Sequence, residues 1–419
     1  MAFAPRPQEP LPPPEPAPPV RSRSARAWLH EELFSSRLNT VLTILFGLAL
    51  GWLVYRVGRF VFVDARWEII EANITNLLVF RFPRDELWRL WLALYLLAAS
   101  VGLAAGTADA TRAAGVAEGR AGAGSPWLTL RRAGPLLVLV AVLLWFGRSV
   151  TATALVAGIV LAWLAFRLAG RRVPRSRRRW AWLAAAAGVV LSYLVVARFG
   201  GVSWEHWGGL HLTVFLAVAG IVLSFPFGVL LALGRRSSLP AVRLVCTAYI
   251  ELFRGVPLIT VLFMATLVVG FFLPPTVDRP SITVRALVGL VLFTSAYVAE
   301  IVRGGLQSVP RGQIEAAQSL GLSPLRTTAL VVLPQALRAV IPAMVGQFIS
   351  LFKDTSLVFI VGLTELLAVS EAITSQPEFV AQGLLIETLV FASFVYWCGS
   401  YWMSRESQRL ERRLGVGLR

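Results

Sequence analysis

Apolar residues in this chain run in blocks. Stretches near 20 residues with few charges recur from residue 39 to residue 403, and polar residues gather in the gaps between them. About 20 apolar residues in one helix cross the hydrocarbon of a bilayer. The pattern predicts ten spans: 39–63, 86–106, 133–147, 150–169, 180–197, 211–233, 256–273, 284–303, 336–355 and 383–403. The third is short and Arg148 interrupts its join to the fourth, so these two could instead form one re-entrant element. Residues 312–334 break the pattern, carrying Gln313, Glu315, Gln318, Ser319 and Arg326 between two apolar runs. They predict two short helices at an angle, forming a water-exposed elbow. The first runs from Gln313 to Leu320 and stops at Gly321, which tolerates a left-handed backbone. The second has Ser323 as N-cap, Pro324 at its first position and Pro334 at its end.

Composition fixes the class. Of 419 residues, 56% are hydrophobic and 15% charged, with mean hydropathy +0.68, so the chain is an all-α polytopic membrane protein. The net charge of +17 is nearly all arginine, because Lys353 is the only lysine. In a soluble protein such charge would suggest nucleic acid. Here the arginines cluster in short gaps between spans, which fits orientation in a membrane and no nucleic-acid partner. Arg171, Arg172, Arg175, Arg177, Arg178 and Arg179 form the densest group. With ten spans, the positive-inside rule puts both termini and the elbow on the cytoplasmic side. Residues 1–20 hold nine prolines and predict a disordered tail without a secretory signal. Trp28 to Leu38 reads as an interfacial helix completing a first region, 1–38. An N-terminal membrane region (39–205), a core (206–405) and a tail (406–419) follow. The 64–86 segment is an outer loop in which Trp67, Phe80, Phe82 and Pro83 can pack. Cys246 and Cys398 form no disulfide framework, and with His30, His206 and His211 they make no metal-ligand pattern.

No enzyme motif is present. A phosphate-gripping loop needs G-x-x-x-x-G-K-[ST], and the single lysine follows Phe352. Polar groups inside spans are costly and therefore candidates for function. Gln347, Ser350 and Asp354 fall on one face of the ninth span by helical spacing. Lys353-Asp354-Thr355-Ser356 then interrupts an apolar stretch, and a helix broken there would offer carbonyls and a carboxylate to an ammonium group. Lys353 and Asp354 could equally pair, or snorkel outward to hold the helix end. Thr294 and Ser295 with Tyr297 form a second polar patch, read chiefly as glue between helices. Glu300 with Arg303, and Glu251 with Arg254, share i, i+3 spacing and read as structural ion pairs. Glu387, near the outer end of the tenth span, could line an outer vestibule but is expected only to reach water.

Several stretches carry a family resemblance. Glu315-Ala316-Ala317, with Gly321, Leu322 and Leu333-Pro334, resembles the EAA loop of ABC-importer permeases. Tyr249-Ile-Glu-Leu-Phe-Arg-Gly-Val-Pro-Leu258, Ala296-Tyr-Val-Ala-Glu-Ile-Val-Arg-Gly-Gly305 and Lys353-Asp-Thr-Ser-Leu357 resemble permeases of polar amino-acid importers, the histidine/glutamine/arginine type. Ser36-Arg-Leu-Asn-Thr40 and Arg81-Phe-Pro-Arg-Asp-Glu-Leu-Trp-Arg89 are similar to the N-terminal extension of general L-amino-acid permeases of the AapM kind. The resemblance implies a five-helix type I ABC importer permease core preceded by about five extra transmembrane helices. It implies no catalysis in this chain, with ATP and Mg held by two separate ATPase subunits seated on Gln313, Glu315, Ala316, Ala317, Gly321, Leu322 and Pro334. It also implies a periplasmic amino-acid-binding protein and a second related permease. Amino acid would pass a site near Gln347 and Asp354. A rival reading, an ion-coupled secondary transporter with a 5+5 inverted repeat, matches the span count. It lacks any motif shared between the halves.

Overall fold

The computed structural model describes residues 29–116, 134–198, 201–268, 272 and 279–414, with the side chains of 112–116, 413 and 414 left aside. The proline-rich tail, and residues 269–271 and 273 of the seventh expected span, lie outside these residues. The chain divides into two compact units, Met1–Ala65 and Arg66–Arg419.

The first unit holds α1 (Arg37–Arg59), apolar on all sides and without a buried residue. The expected helix over 28–38 is not continuous: Leu29–Leu33 make a five-residue π-helical turn. Ser36 is the reason. Its hydroxyl accepts from the Asn39 N–H at 3.1 Å, and its extended backbone (φ −145°) interrupts any helix running through it.

The regular structure of the second unit is all helical among its described residues, apart from an isolated bridge between Gly209 and Glu365. In order come α2 (Glu68–Val79), α3 (Leu87–Val116), α4 (Gly134–Gly147), α5 (Val150–Arg171), α6 (Arg178–Ala197) and α7 (Gly209–Arg235). Next are α8 (Pro240–Gly255), α9 (Leu258–Phe263), α10 (Ile282–Ser308), α11 (Arg311–Ser319), α12 (Pro324–Thr327) and α13 (Leu333–Ala339). Last are α14 (Ile341–Asp354), α15 (Leu366–Ala372) and α16 (Leu385–Leu414). Among the described residues of the whole chain, seven helices are long and apolar enough to cross a membrane, or eight if a bent pair is one span.

The ten expected spans map onto this unevenly. The bent pair is α8 with α9, which meet at 110°. Pro257 lacks an N–H and pushes Val256 into extended backbone (φ −107°, ψ 139°), so the seventh span turns there. The third is the 14-residue α4, about 21 Å long and too short for the hydrocarbon. It packs on α2 and α16, while α5 packs on α3. The tenth lies in α16, a 30-residue helix whose polar residues dilute its apolar length. The ninth is interrupted at Val340, before Pro342. It then runs from Ile341 through a 3-10 segment to Val361.

Two packing systems result. In the first half, α3 packs against α5 and α6. In the second, α7 and α10 pair along their length, with α8, α13 and α14 against them and α16 against α14. The 64–86 loop contains α2, with Ile69, Ile70 and Leu77 fully buried, and Phe82 is 1% exposed. Asn73 on α2 exchanges hydrogen bonds with Gln376 at 3.0 and 2.7 Å, tying this loop to the 364–384 segment. Since α10 starts beside Trp204 and ends at the elbow, these loops cover the end of the molecule opposite the elbow.

Candidate functional site

The elbow begins where α10 ends. α11 covers Arg311–Ser319 and stops as the spacing predicts. Gly321 has φ +78°, its N–H reaches the Gln318 carbonyl at 2.9 Å, and the Leu322 N–H reaches Ala317 at 3.2 Å. This paired closure needs a left-handed residue, which glycine supplies without strain. Ser323 starts the next helix by backbone alone: its carbonyl accepts from the Thr327 N–H at 2.8 Å, and its side chain makes no cap bond. Pro334 does not end that helix. A five-residue π segment, Thr328–Val332, absorbs the proline's missing N–H, and helix continues through α13 to Ala339.

One side of the elbow is anchored and the other is open. Ala317, Thr327, Val332 and Ala336 are buried. Val332 and Ala336 pack with Val302, Leu306 and Val309 at the end of α10. Gln313, Glu315, Ala316 and Gly321 are exposed, as is Pro334, and Leu322 is half-buried. Three leucines flank them in the open: Leu320 at 83%, Leu325 at 79% and Leu330 at 67% exposure. A water-facing helical pair gains nothing from three bare leucines, so this surface has the character of a docking face.

A charged clamp sits about two turns before the end of α10. Glu300 accepts from Arg303 Nε at 2.9 Å and from Arg235 Nη1 at 3.2 Å, with Arg254 at 3.8 Å. Glu251 pairs with Arg235 at 2.8 Å. The expected Glu251–Arg254 pair is therefore replaced: Arg254 turns toward Glu300 and the face of Tyr297, and Glu251 toward α7. Helical spacing is blind to these cross-helix partners. The clamp joins α7, α8 and α10 just before the elbow.

The residues expected along a substrate path separate into three environments. Gln347, Ser350 and Asp354 are half-buried on α14, and Lys353 beside them is exposed. The helix does not unwind at 353–356. It tightens into a 3-10 segment, and the carbonyls of Phe352 and Lys353 accept from the Thr355 and Ser356 hydroxyls at 2.7 and 2.8 Å. These two carbonyls are occupied locally, because short hydroxyl side chains reach back one turn more readily than a helix opens. Thr355 itself is fully buried. Thr294 and Ser295 are buried between helices; Tyr249 bonds to Ser295 Oγ at 2.9 Å and to the Leu292 carbonyl at 2.7 Å.

Glu365, absent from the residues expected to matter, is fully buried. Its carboxylate accepts from the N–H groups of Leu367 and Ala368, both at 2.9 Å, and from the Tyr396 hydroxyl at 2.8 Å. Thr213 Oγ1 lies 3.4 Å away and accepts from the Leu366 N–H at 3.1 Å. One carboxylate thus caps α15 and ties it to α7 and α16. Burial pushes the Glu365 carboxyl above its usual range, opposed by those hydrogen bonds. An acid followed by a helical run is an N-cap signal, but its burial depends on Tyr396, 31 residues on. Glu387, expected in water, is 7% exposed and accepts from the Arg66 N–H at 3.4 Å.

Residues 224–415 match the family described as "Binding-protein-dependent transport system inner membrane component". The inner membrane amino-acid ABC transporter permease protein YhdY of Escherichia coli is 35% identical, over 97% of each chain. The chain belongs to the amino-acid ABC transporter permeases. The glutamate/glutamine/aspartate/asparagine transport system permease protein BztC of Rhodobacter capsulatus is 34% identical over 96% of each chain. Both relatives extend across the N-terminal helices as well as the core. A solved chain titled "Crystal structure of an amino acid ABC transporter with histidines" is 30% identical, covers 49% of this chain and 92% of that one, and has a TM-score of 0.44. The permease is thus a multi-pass membrane protein of a binding-protein-dependent amino-acid importer, a transport component rather than an enzyme. ABC importer permeases work with ATPase and substrate-binding partners. The inverted-repeat secondary transporter is not favoured.

Proposed function

We propose that this permease forms half of an alternating-access pathway for an amino acid, moved by an ATPase seated on the 311–339 elbow. The observation that carries the reading is the elbow's two-sidedness. Leu320, Leu325 and Leu330 lie bare around Glu315 and Ala316, while Ala317, Val332 and Ala336 lock the element to α10. Force applied to the open side would pass through the Glu300 clamp into α7 and α8. ATP and Mg would be held by two partner ATPase subunits. A second, related permease would supply the other half-pathway, making a heterodimer, and a periplasmic protein would deliver the amino acid. Both termini and the elbow would lie in the cytoplasm of a bacterial inner membrane. Gln347, Ser350 and Asp354 would line the path, the carboxylate facing the substrate's ammonium group. BztC is named for acidic and amide amino acids, and a small polar amino acid of that kind fits such a face.

The test is a pull-down with the assembled importer in detergent. Glu315→Lys should cut retained ATPase by more than about tenfold, a loss of roughly 1.4 kcal/mol, with the permease still monodisperse. Gly321→Trp, placing a bulky residue at φ +78°, should do the same. Wild-type retention in both variants would defeat the reading.

A further inference from the structure

The N-terminal helices carry a second charged cluster that the transport reading does not use. It lies at the ends of α3, α5 and α6. One oxygen of Asp109 on α3 accepts from Arg167 Nε and Nη2 at 3.1 and 2.8 Å, and from Arg171 Nε and Nη2 at 3.3 and 2.9 Å. Arg178, opening α6, donates to the Ala110 carbonyl at 3.1 Å and reaches Thr111 Oγ1 at 3.4 Å. Two guanidinium groups thus share one carboxylate, and a third, that of Arg178, holds the helix turn beside it.

Two nitrogens are left over. Arg167 is 5% exposed, yet its Nη1 is buried without a hydrogen-bond partner among the described residues, as is Nε of Arg178. Arg167 cannot swing out to water. Its backbone is pressed against α3, where a Cβ on Gly106 would come within 2.0 Å of the Arg167 carbonyl, and Trp163 lies against its guanidinium at 5.2 Å. Small residues allow this close approach, and the approach fixes the cation in place. Burying a guanidinium nitrogen without an acceptor is costly, even where the rest of the group is paired. The sequence offers little: residues 112–133, from the last turn of α3 to the start of α4, have four arginines and one acidic residue.

We infer that Arg167, Arg171 and Arg178 form a binding site for an anionic phosphodiester, the headgroup of a membrane phospholipid. The chemistry is charge-assisted hydrogen bonding from guanidinium to phosphate oxygens. The position selects a lipid over a dissolved anion. Arg178 starts a span and Arg171 ends one, which places them at headgroup level. Trp180 and Trp182 lie exposed just inside α6, and Leu164 and Leu168 are exposed on α5. Indoles favour the membrane interface and the leucines offer a flank for acyl chains. α6 runs from this cluster to Ala197, near α3's first turn, where Arg89 holds the Val195 carbonyl at 3.0 Å. Its far end leads to Trp204, beside the start of α10, so the lipid site is on the elbow's side of the membrane.

The test uses the assembled importer, delipidated in a neutral detergent, and measures bound lipid by native mass spectrometry together with the melting midpoint. Phosphatidylglycerol should bind and raise the midpoint; phosphatidylcholine should do neither. Arg178→Gln, half-exposed and expected to fold, should cut bound phosphatidylglycerol at least fivefold. Arg167→Gln should do so more strongly where it folds. Arg172→Gln, an exposed arginine in the same turn, is the control and should leave binding unchanged. An equal loss in Arg172→Gln would reduce the effect to diffuse surface charge and overturn the site. Stabilisation by inorganic phosphate as large as by phosphatidylglycerol would overturn the lipid assignment, and equal binding of phosphatidylcholine would overturn both.

Discussion

Two of the permease's arginine clusters, both near span ends on the elbow's side, differ in closure. In the core, Arg235, Arg254 and Arg303 meet Glu251 and Glu300, and every member stays at least one-fifth exposed. In the N-terminal region, Arg167 and Arg171 share Asp109, Arg178 holds the neighbouring Ala110 carbonyl, and Arg167 is buried between helices. Same residue type, similar depth, opposite bookkeeping of charge. The core cluster is nearly neutral and partly wet, so it can hold three helices together and still rearrange. The N-terminal cluster has three arginines to one acid among the described residues, and one of those arginines, Arg167, is buried. Solvation, not composition, separates a clamp from a binding site.

The largest effect should come from Asp109→Asn. It leaves Arg167 and Arg171 without a carboxylate in a buried seam, a loss of about 3–5 kcal/mol by analogy with broken buried pairs. Temperature-dependent gel filtration in detergent should show a clear drop in the melting midpoint, partly restored by phosphatidylglycerol. An unchanged midpoint would mean the seam is wetter than its burial indicates. Glu300→Gln is the matched change in the core. With side chains a quarter exposed, it should cost roughly 1–2 kcal/mol. Its main effect should be functional: ATPase still bound, but hydrolysis no longer stimulated by the binding protein. Normal stimulation would show that force does not travel through the clamp.

Asp354→Asn comes next and should leave stability nearly unchanged. Expected is loss of amino-acid uptake in vesicles with the importer intact by pull-down. Normal uptake would assign Asp354 to the helix end only, the alternative that Lys353 next to it keeps open.

Much of this architecture is legible in the sequence. Apolar run length finds the long spans, and the elbow's stop at Gly321 follows from residue chemistry alone. What the sequence hides is three-dimensional. The bend at Pro257 is local, but its size depends on packing. Arg254 has an acid three residues away in Glu251 and pairs with Glu300 instead, because α8 and α10 cross there. Pro334 reads as a stop, yet a π segment absorbs it. Glu365 reads as a loop acid and lies fully buried, since Tyr396 and Thr213 come from distant parts of the chain. In the sequence Arg167 is only an arginine near the end of the fourth apolar run. Its burial depends on the close approach of α3 and α5 at Gly106, which pattern reading does not supply.

The smallest effects belong to two tyrosine hydroxyls, one in each region, and they bear on whether the Thr294–Ser295 patch is glue or path. Tyr95 on α3 donates to the Leu155 carbonyl of α5 at 3.0 Å. Tyr249 on α8 bonds to both the Leu292 carbonyl and Ser295 Oγ of α10. Replacing either with Phe removes a cross-helix bond worth about 0.5–1.5 kcal/mol. Neither change orphans its partner outright: Leu155 lies in a helix, and Ser295 Oγ still donates to Leu292 at 2.9 Å. Tyr249→Phe should cost slightly more than Tyr95→Phe, because it loses two contacts and weakens the seam beside the bend at Val256–Pro257. If the patch is glue, both variants lower the melting midpoint a little and transport at the wild-type rate. If Tyr249→Phe instead stays fully stable and loses uptake, the hydroxyls of α8 and α10 face the amino acid, and the path runs along α10 as well as α14.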